Sequence, residues 1–141
     1  MITLNPYLNF LGNTEEAFKF YQSVFGGEFT TFQRFSDTPE AGNVAEVDKD
    51  KIMHVALPIG NNVLMGTDAL ESMGHSLQAG NNFSLSLQVE SKEEADELYG
   101  KLSAGGTIEM PLADAFWGAY FSMFTDKFGM RWMINYQYPK K

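Results

Sequence analysis

The sequence predicts an α+β fold made of two β-α-β-β-β modules that follow one another along the chain. Three observations predict it: a repeated segment, an amphipathic helix in each copy of that segment, and three strand-like stretches after each helix. Self-similarity of this kind indicates that each copy is one supersecondary unit. We expect the modules to occupy residues 1–70 and 80–138 of a single domain, residues 1–141.

The repeat lies in residues 8–27 and 87–106, which read LNFLGNTEEAFKFYQSVFGG and LQVESKEEADELYGKLSAGG. Both segments contain, in the same order, an alternating apolar run, the tripeptide EEA, a tyrosine and a terminal pair of glycines. Period-two alternation is typical of a strand with one buried face, so each copy is predicted to begin with a strand. In the second copy this strand is Phe83–Val89, with Phe83, Leu85, Leu87 and Val89 on the helix side. The same alternation places Leu4, Leu8 and Phe10 on the helix side of the first strand, although Pro6 interrupts it and leaves this parity open.

Each copy continues with a helix. Asn13-Thr14 and Ser91 are candidate N-caps, and acidic residues follow in the first turn, where the helix dipole favours negative charge. Apolar residues then recur at spacings of three and four, which indicates one buried face per helix. These residues are Ala17, Phe20, Tyr21, Val24 and Phe25 in the first helix and Ala95, Leu98, Tyr99 and Leu102 in the second. The glycine pairs at 26–27 and 105–106 are expected to end the helices in the left-handed conformation.

Three strands are predicted after each helix, and a tight turn joins the last two of each set. They are Glu28–Phe35, Ile52–Ile59 and Val63–Asp68 in the first module, and Thr107–Leu112, Trp117–Thr125 and Met130–Tyr136 in the second. In the turn DKFG, the side chain of Asp126 is expected to cap the backbone. The polar loops 36–50 and 69–81 are long enough to suggest a function. Whether loop 36–50 closes over a site as a lid stays open.

Composition excludes several classes of function. The chain has 18 acidic and 10 basic residues, a formal charge of −8, which argues against a nucleic-acid partner. It has no cysteine, which excludes disulfides, thiolate metal ligands and cysteine nucleophiles and suits a reducing compartment. No apolar stretch approaches the roughly 18 residues of a membrane span, and no signal-like segment is evident. We therefore expect a cytoplasmic protein without a membrane partner.

Three segments carry a resemblance to a known family: NPYLNFLGNTEEAFKFYQSVFGGEF at 5–29, HVALPIGNNVLMGTD at 54–68 and MPLADAFWGAYFSMFTDKFGMRWMINY at 110–136. Together with the two-module pattern, they resemble the vicinal oxygen chelate superfamily of glyoxalase I, extradiol dioxygenases and bleomycin-resistance proteins. The chain is most similar to its PhnB-like branch, whose members are in places named 3-demethylubiquinone-9 3-methyltransferases. The resemblance implies curled mixed sheets, each forming an open cup, and a homodimer that pairs the cups.

In the metal-dependent members, the resemblance implies ligands on the first and last strands of each module. The corresponding positions here are Asn5, Met65, Ser84 and Met133. Thioether sulfurs are soft ligands, whereas nickel, zinc and iron(II) in this fold want imidazole and carboxylate. We therefore predict no metal and no other cofactor.

The predicted cup combines aromatic and methionine side chains with small polar groups, which suits a planar or apolar small molecule. The same side chains are also compatible with a dry core or a dimer interface. The candidate ligand-binding residues are Tyr7, Asn9, His54, Met65, Asp68, Ser84, Ser86, Trp117, Phe121, Arg131 and Met133. The acids near the expected rim are Asp68, Glu109, Asp114 and Asp126, and of these Asp68 and Asp114 end strands and could bind a cationic or hydroxylated ligand.

Two histidines are present, His54 at the start of a strand and His75 in a polar loop, and their spacing matches no metal or triad motif. No catalytic residue is assigned, and whether the protein is an enzyme is left open. The preferred hypothesis is a metal-independent small-molecule-binding protein; the alternative is a metal-dependent lyase or dioxygenase whose ligands lie in another register. A structural or regulatory protein without a ligand is a third class. Methyltransferase activity is disfavoured, because the glycine pairs end helices instead of opening them after a strand.

Overall fold

A computed structural model of the chain describes residues 1–140, without the side chain of Glu40. The chain divides into two compact units, unit 1 comprising Met1–Gln78 and unit 2 beginning at Ala79. Each unit contains one α-helix and one four-stranded mixed sheet. The helices of the described residues are all too short or too polar to cross a membrane.

Unit 1 has the predicted β-α-β-β-β order. Its elements are β1 (Tyr7–Phe10), α1 (Thr14–Phe25), β2 (Thr31–Arg34), β3 (Ile52–Ile59) and β4 (Asn62–Asp68). The strands lie in the order β1-β4-β3-β2, with β1 parallel to β4 and the other pairs antiparallel. The parallel pair brings the first and last strands of the unit side by side.

Unit 2 repeats this topology. Its elements are β5 (Leu85–Gln88), α2 (Lys92–Leu102), β6 (Thr107–Ala115), β7 (Ala119–Thr125) and β8 (Arg131–Gln137). The strand order is β5-β8-β7-β6, and β5 is parallel to β8. The predicted two-module α+β fold is therefore confirmed.

Several strands start or end elsewhere than predicted. The first strand of each unit is only four residues long, so Leu4 and Phe83 precede the strands and are 84% and 61% exposed instead of covering a helix. Trp117 was expected within a strand, but it lies in the turn before β7, where Gly118 has a φ of 87°. The left-handed conformation at this glycine reverses the chain.

The buried face of α1 is centred differently from the prediction. Phe18 is fully buried between Ala17 and Tyr21, whereas Phe20 and Phe25 are half-buried at its margin. Both patterns satisfy spacings of three and four, so the sequence alone did not choose between neighbouring stripes. Phe18 meets Phe10 of β1 edge to face, with ring centroids 6.3 Å apart.

The helix ends follow the predicted chemistry in part. Ser91 Oγ accepts a hydrogen bond from the Glu94 amide at 3.1 Å, as expected of an N-cap. Asn13 makes no such bond with its side chain. Gly26 and Gly105 have φ values of 78° and 77°, as expected of glycines after helices. Gly106 is not among the glycines with a positive φ. A Cβ at this position would lie 2.1 Å from the Thr125 carbonyl oxygen, so glycine is needed here because the backbone at Thr125 lies so close.

Gly66 allows α1 to pack closely on the sheet of unit 1. A Cβ at this position of β4 would lie 2.4 Å from Cε1 of Phe18 and 3.4 Å from the carbonyl oxygen of Leu8. No side chain larger than hydrogen fits without moving the helix or the Phe18 ring.

Gly66→Ala is therefore expected to lower the free energy of unfolding by about 1–3 kcal/mol through overpacking. Gly100→Ala is the matched control, because nothing lies within 4 Å of its added methyl group and the site is helical. That change is expected to stabilise the protein by roughly 0.5–1 kcal/mol. Urea unfolding measures both; equal effects of the two substitutions would contradict the close packing of Gly66.

Candidate functional site

The sheet of unit 1 has one face covered by α1 and one open face. In β1, Leu8 and Phe10 are buried on the helix side, and Tyr7 and Asn9 are exposed on the other. Paired residues of neighbouring strands share a face, so the register extends the open face across the sheet. One row of it contains Tyr7, Met65, Ala56 and Thr31, and the next contains Asn9, Thr67, His54 and Gln33.

Tyr7 and His54 meet on this open face. The Tyr7 hydroxyl lies 3.0 Å from Nδ1 of His54, and the two rings stack with centroids 5.5 Å apart. Burial raises the pKa of the Tyr7 phenol, and the nearby Thr67 side chain offsets part of this rise. Tyr7 therefore keeps its proton at neutral pH and serves as a hydrogen-bond donor or acceptor.

The open face of unit 2 is built in the same way but with different chemistry. The rows of β5, β8 and β7 contain Ser86, Met133 and Met123, followed by Gln88, Asn135 and Phe121. Gln88 and Asn135 bond to each other through their side-chain amides at 3.0 Å. Trp117 lies against Phe121 edge to face, with centroids 5.3 Å apart, and remains 47% exposed. Phe121 itself is only 8% exposed, so Met133 and Trp117 supply the accessible part of this thioether and aromatic surface.

The register identifies which first-strand residues lie beside the two methionines. Met65 pairs with Tyr7 and Met133 pairs with Ser86. The expected partners, Asn5 and Ser84, precede the strands by one or two residues. The Asn5 side chain accepts a hydrogen bond from the Val63 amide at 2.9 Å, which holds the start of the chain to β4. Asn5 therefore has a structural contact, and the position next to Met65 belongs to Tyr7.

The residues at the positions implied for metal ligands do not fit a divalent cation. The open-face side chains of the first and last strands are Tyr7, Asn9, Met65, Thr67, Ser86, Gln88, Arg131, Met133 and Asn135, with Val63 at the margin. None of these side chains is an imidazole or a carboxylate, the ligands that such cations prefer. Within residues 1–140, no three His, Cys, Asp or Glu side chains are grouped to hold a metal ion.

Arg131 lies at the end of the unit 2 open face, but neighbours within the unit occupy its guanidinium. Nη2 bonds to Oε2 of Glu109 at 2.7 Å, and Nη1 donates to the carbonyl oxygen of Asn81. The bond to Glu109 joins β8 to β6, and the bond to Asn81 joins β8 to the segment before β5. A ligand would have to compete with these two contacts for Arg131.

Asp68 does not lie on the open face. Its side chain is only 2% exposed and points to the helix side, where Oδ1 accepts from the Gly12 amide and from both the amide and the hydroxyl of Thr14. Oδ2 accepts from the Ile52 amide at 2.8 Å. Four donors therefore use this carboxylate, and it takes over the capping of α1 that was expected from Asn13. The expectation that Asp68 binds a ligand is corrected by this placement.

Asp68→Asn is expected to lower the free energy of unfolding by roughly 2–3 kcal/mol, because the amide nitrogen replaces an acceptor that buried donors require. Asp114→Asn is the matched control, since Asp114 is exposed and accepts only from Tyr138. Its expected effect is within about 0.5 kcal/mol. Chemical denaturation compares the two. Unchanged stability of the Asp68→Asn protein would contradict the role of Asp68 as the acceptor for these buried donors.

Asp126 has the predicted turn role and one more. Its Oδ1 accepts from the amides of Phe128 and Met130, and its Oδ2 accepts from the Trp132 indole at 2.8 Å. Trp132 and Ile134 are buried on the helix side of β8. The two tryptophans therefore differ in their surroundings: Trp132 is buried on the helix side, whereas Trp117 is exposed.

Loop 36–50 is folded onto unit 1. It forms short 3-10 turns, Phe35–Asp37, Pro39–Asn43 and Glu46–Asp48, and buries Val44. Asp48 bonds to the Lys51 ammonium at 2.7 Å and accepts from the Ser72 hydroxyl, which lowers the pKa of its carboxyl. These contacts tie the loop to the following segment 69–81. In that segment, His75 Nδ1 accepts from the Leu70 amide, so His75 has a local structural role.

Seven open-face residues were absent from the predicted ligand-binding set: Thr31, Gln33, Ala56, Thr67, Gln88, Met123 and Asn135. The signal for two of them was available, because Thr67 and Asn135 each lie two residues after a methionine already placed on that face. Gln33 depends on the pairing of β2 with β3, which includes a register shift, and no sequence pattern gave it.

The fold and these two open faces define a class of protein. The sequence model of the Glyoxalase/Bleomycin resistance protein/Dioxygenase superfamily matches residues 3–134, and the chain belongs to this superfamily. The vicinal oxygen chelate fold, which the family resemblance implied, is confirmed.

Individual relatives refine this placement. Protein YjdN of Escherichia coli strain K12 is 33% identical over 140 residues, which cover 94% of this chain and 93% of that protein. The crystal structure of protein PA1353 from Pseudomonas aeruginosa is 41% identical, with a TM-score of 0.87 over 97% of this chain and 98% of that one. The PhnB protein from Bacillus cereus, which also carries the name 3-demethylubiquinone-9 3-methyltransferase, is 26% identical. Its structure has a TM-score of 0.76 over 96% of this chain and 99% of that one. The PhnB-like resemblance is thereby confirmed.

Proposed function

We propose that the protein binds a small planar or apolar molecule on its open sheet faces, without a metal ion. The observation that carries this proposal is the pair of surfaces formed around Met65 and Met133. Tyr7 and Ala56 flank the first methionine, and Phe121 and Met123 lie near the second. Aromatic rings and thioethers adapt to planar ligands and give them large contact areas.

Most of the polar groups on these faces are uncharged. Apart from His54 and Arg131, the described open-face side chains are neutral amides, hydroxyls and apolar groups. Arg131 is already paired with Glu109. A pocket with many apolar contacts and a few hydrogen-bonding groups is typical of small-molecule sites, in which the polar groups fix the orientation.

The metal-free part of the proposal rests on the donor set. The thioethers of Met65 and Met133 stand on the last strands, where relatives that use metal are expected to supply ligands. The superfamily name of the chain includes dioxygenases, but the open-face donors favour binding without metal over a metal-dependent lyase or dioxygenase.

We also propose that the protein acts in the cytoplasm as a homodimer. Ile108 and Met110 are 45% and 43% exposed on the edge strand β6, and Phe116 at its end is 98% exposed. An edge strand with exposed apolar side chains is a surface that proteins usually cover. A second copy of the chain is the occupant we propose.

The binding proposal is tested with 4-nitroanisole, a planar molecule without a hydroxyl group, added to protein whose methionine methyl groups carry ¹³C. The methyl resonances of Met65, Met123 or Met133 are expected to shift, and that of Met73 is not. Met65→Gln or Met133→Gln is expected to weaken binding roughly fivefold, because contact with an apolar methyl group is lost. Met73→Gln is the control, since Met73 is exposed in a 3-10 turn outside the open faces. Saturation without any shift at the three methionines would contradict the proposal.

Native mass spectrometry of the same protein tests the metal-free state and the dimer in one measurement. After incubation with nickel, zinc or iron(II) and removal of excess ion, we expect a dimer mass without a stoichiometric metal. One ion retained per chain would overturn the metal-free assignment. A monomer at micromolar concentration would overturn the dimer.

A further inference from the structure

The Tyr7–His54 pair has hydrogen-bonding capacity left over. The hydroxyl and Nδ1 use one bond between them, at 3.0 Å. Nε2 of His54 has no hydrogen-bond partner among the described side chains, and Tyr7 is 46% exposed. A donor or acceptor on each ring is therefore available to a third group.

The remaining capacity has the same character in either tautomer of His54. If Tyr7 donates to Nδ1, then Nε2 carries a proton that it can donate, and the tyrosine oxygen can accept. If Nδ1–H donates to the tyrosine oxygen, then the hydroxyl proton is free to donate and Nε2 can accept. One donor and one acceptor are thus presented in both cases. A hydroxyl group is both donor and acceptor, so it complements the pair whichever tautomer is present.

The surroundings indicate what the rest of such a ligand would look like. Met65 and Ala56 share the row of Tyr7, and Asn9, Thr67 and Gln33 share the row of His54. None of these five side chains is charged. The Thr67 hydroxyl donates to the Met53 carbonyl oxygen at 2.7 Å, so its proton is already used. A ligand whose uncharged ring lies on Met65 and whose hydroxyl group points toward Tyr7 and His54 would match this arrangement of apolar and polar groups.

The fold does not require the pair. Met65 and Met133 are equivalent in the two sheets, and their partners on the preceding strand are Ala56 and Met123. Two residues before these partners stand His54 in unit 1 and Phe121 in unit 2, and the equivalents on the first strands are Tyr7 and Ser86. Unit 2 builds the same sheet with a phenylalanine and a serine. A role in a ligand's chemistry is therefore the better explanation of Tyr7 and His54 than the requirements of the sheet.

We infer that Tyr7 and His54 form a hydrogen-bonding anchor for the hydroxyl group of a phenol-like or enol-like ligand, whose uncharged ring lies on the open face of unit 1. This inference rests on the proposed function, because it names the class of ligand and its orientation at the same face. Both residues act by direct contact with the ligand hydroxyl.

The test compares 4-nitrophenol with 4-nitroanisole, which differ only in that a methyl group replaces the hydroxyl proton. At neutral pH we expect the protonated fraction of 4-nitrophenol to bind wild-type protein about three- to tenfold more tightly than 4-nitroanisole, as one additional hydrogen bond provides. Calorimetry measures both affinities. In ¹⁵N spectra of labelled histidine, the Nε2 resonance of His54 is expected to move further with 4-nitrophenol than with 4-nitroanisole, whose ether oxygen can only accept a hydrogen bond.

Two substitutions remove the anchor while leaving the sheet intact. Tyr7→Phe deletes only the hydroxyl, and His54→Phe introduces the residue that unit 2 carries at the equivalent position. Either change is expected to reduce the affinity for 4-nitrophenol to that for 4-nitroanisole without weakening the latter. Tyr138→Phe is the matched control, because its hydroxyl bonds to Asp114 in unit 2. It is expected to leave both affinities unchanged.

The outcomes separate this inference from the proposed function. Equal affinities of the two probes in wild-type protein, or a preference for 4-nitrophenol that survives Tyr7→Phe and His54→Phe, would overturn the anchor and leave the binding proposal standing. Failure of both probes to bind would overturn the binding proposal itself. Circular dichroism of each variant establishes that it is folded. If one variant does not fold, the other variant and the ¹⁵N measurement on wild-type protein still test the anchor.

Discussion

The parallel pairing of the first strand with the last in each unit is the constraint on which the rest of the structure depends. It places Tyr7 beside Met65 and Ser86 beside Met133. Because side chains alternate between the faces of a strand, this one register determines which residues are buried under the helix and which are exposed opposite it. A shift by one residue would bury Tyr7 and expose Leu8. Such a shift must be prevented, and both polar contacts and close packing stabilise the observed register.

In unit 1, buried polar contacts stabilise that register. The Asp68 carboxylate, at the end of β4, joins the start of α1 through Gly12 and Thr14 to the start of β3 through Ile52. An unpaired buried amide costs more than a single hydrogen bond contributes, so a slipped strand would leave several such groups unsatisfied. Gly66 adds a steric requirement, because only glycine allows Phe18 to lie directly on β4. Polar pairing and close packing thus select the same alignment.

Much of this could be predicted from the sequence, for physical reasons that also explain the errors. The repeat and its periodicities depend on local alternation, so the order of elements and the burial of Leu8, Phe10, Trp132 and Ile134 were predictable. The role of Asp68 depends on donors 54 and 56 positions earlier in the chain, which no local pattern shows. Its position at the end of a strand suggested the rim of a cup, although its parity with Leu64 and Gly66 places it on the helix side. Phe18 and Phe20 could not be distinguished, because stripes one residue apart have the same period.

The two units use one fold for different surfaces. Most residues on the helix side of the sheets are apolar in both units, as Leu57 and Leu64 are in unit 1 and Phe124 and Trp132 in unit 2. The open face is free of this packing requirement, so its residues can differ without loss of stability. There, His54 and Tyr7 in unit 1 correspond to Phe121 and Ser86 in unit 2. Since a buried core tolerates little change in volume, differences between the repeats should concentrate where a ligand, and not the fold, determines the residue. The polar pair of unit 1 is such a difference, and the binding function we propose accounts for it where sheet formation does not.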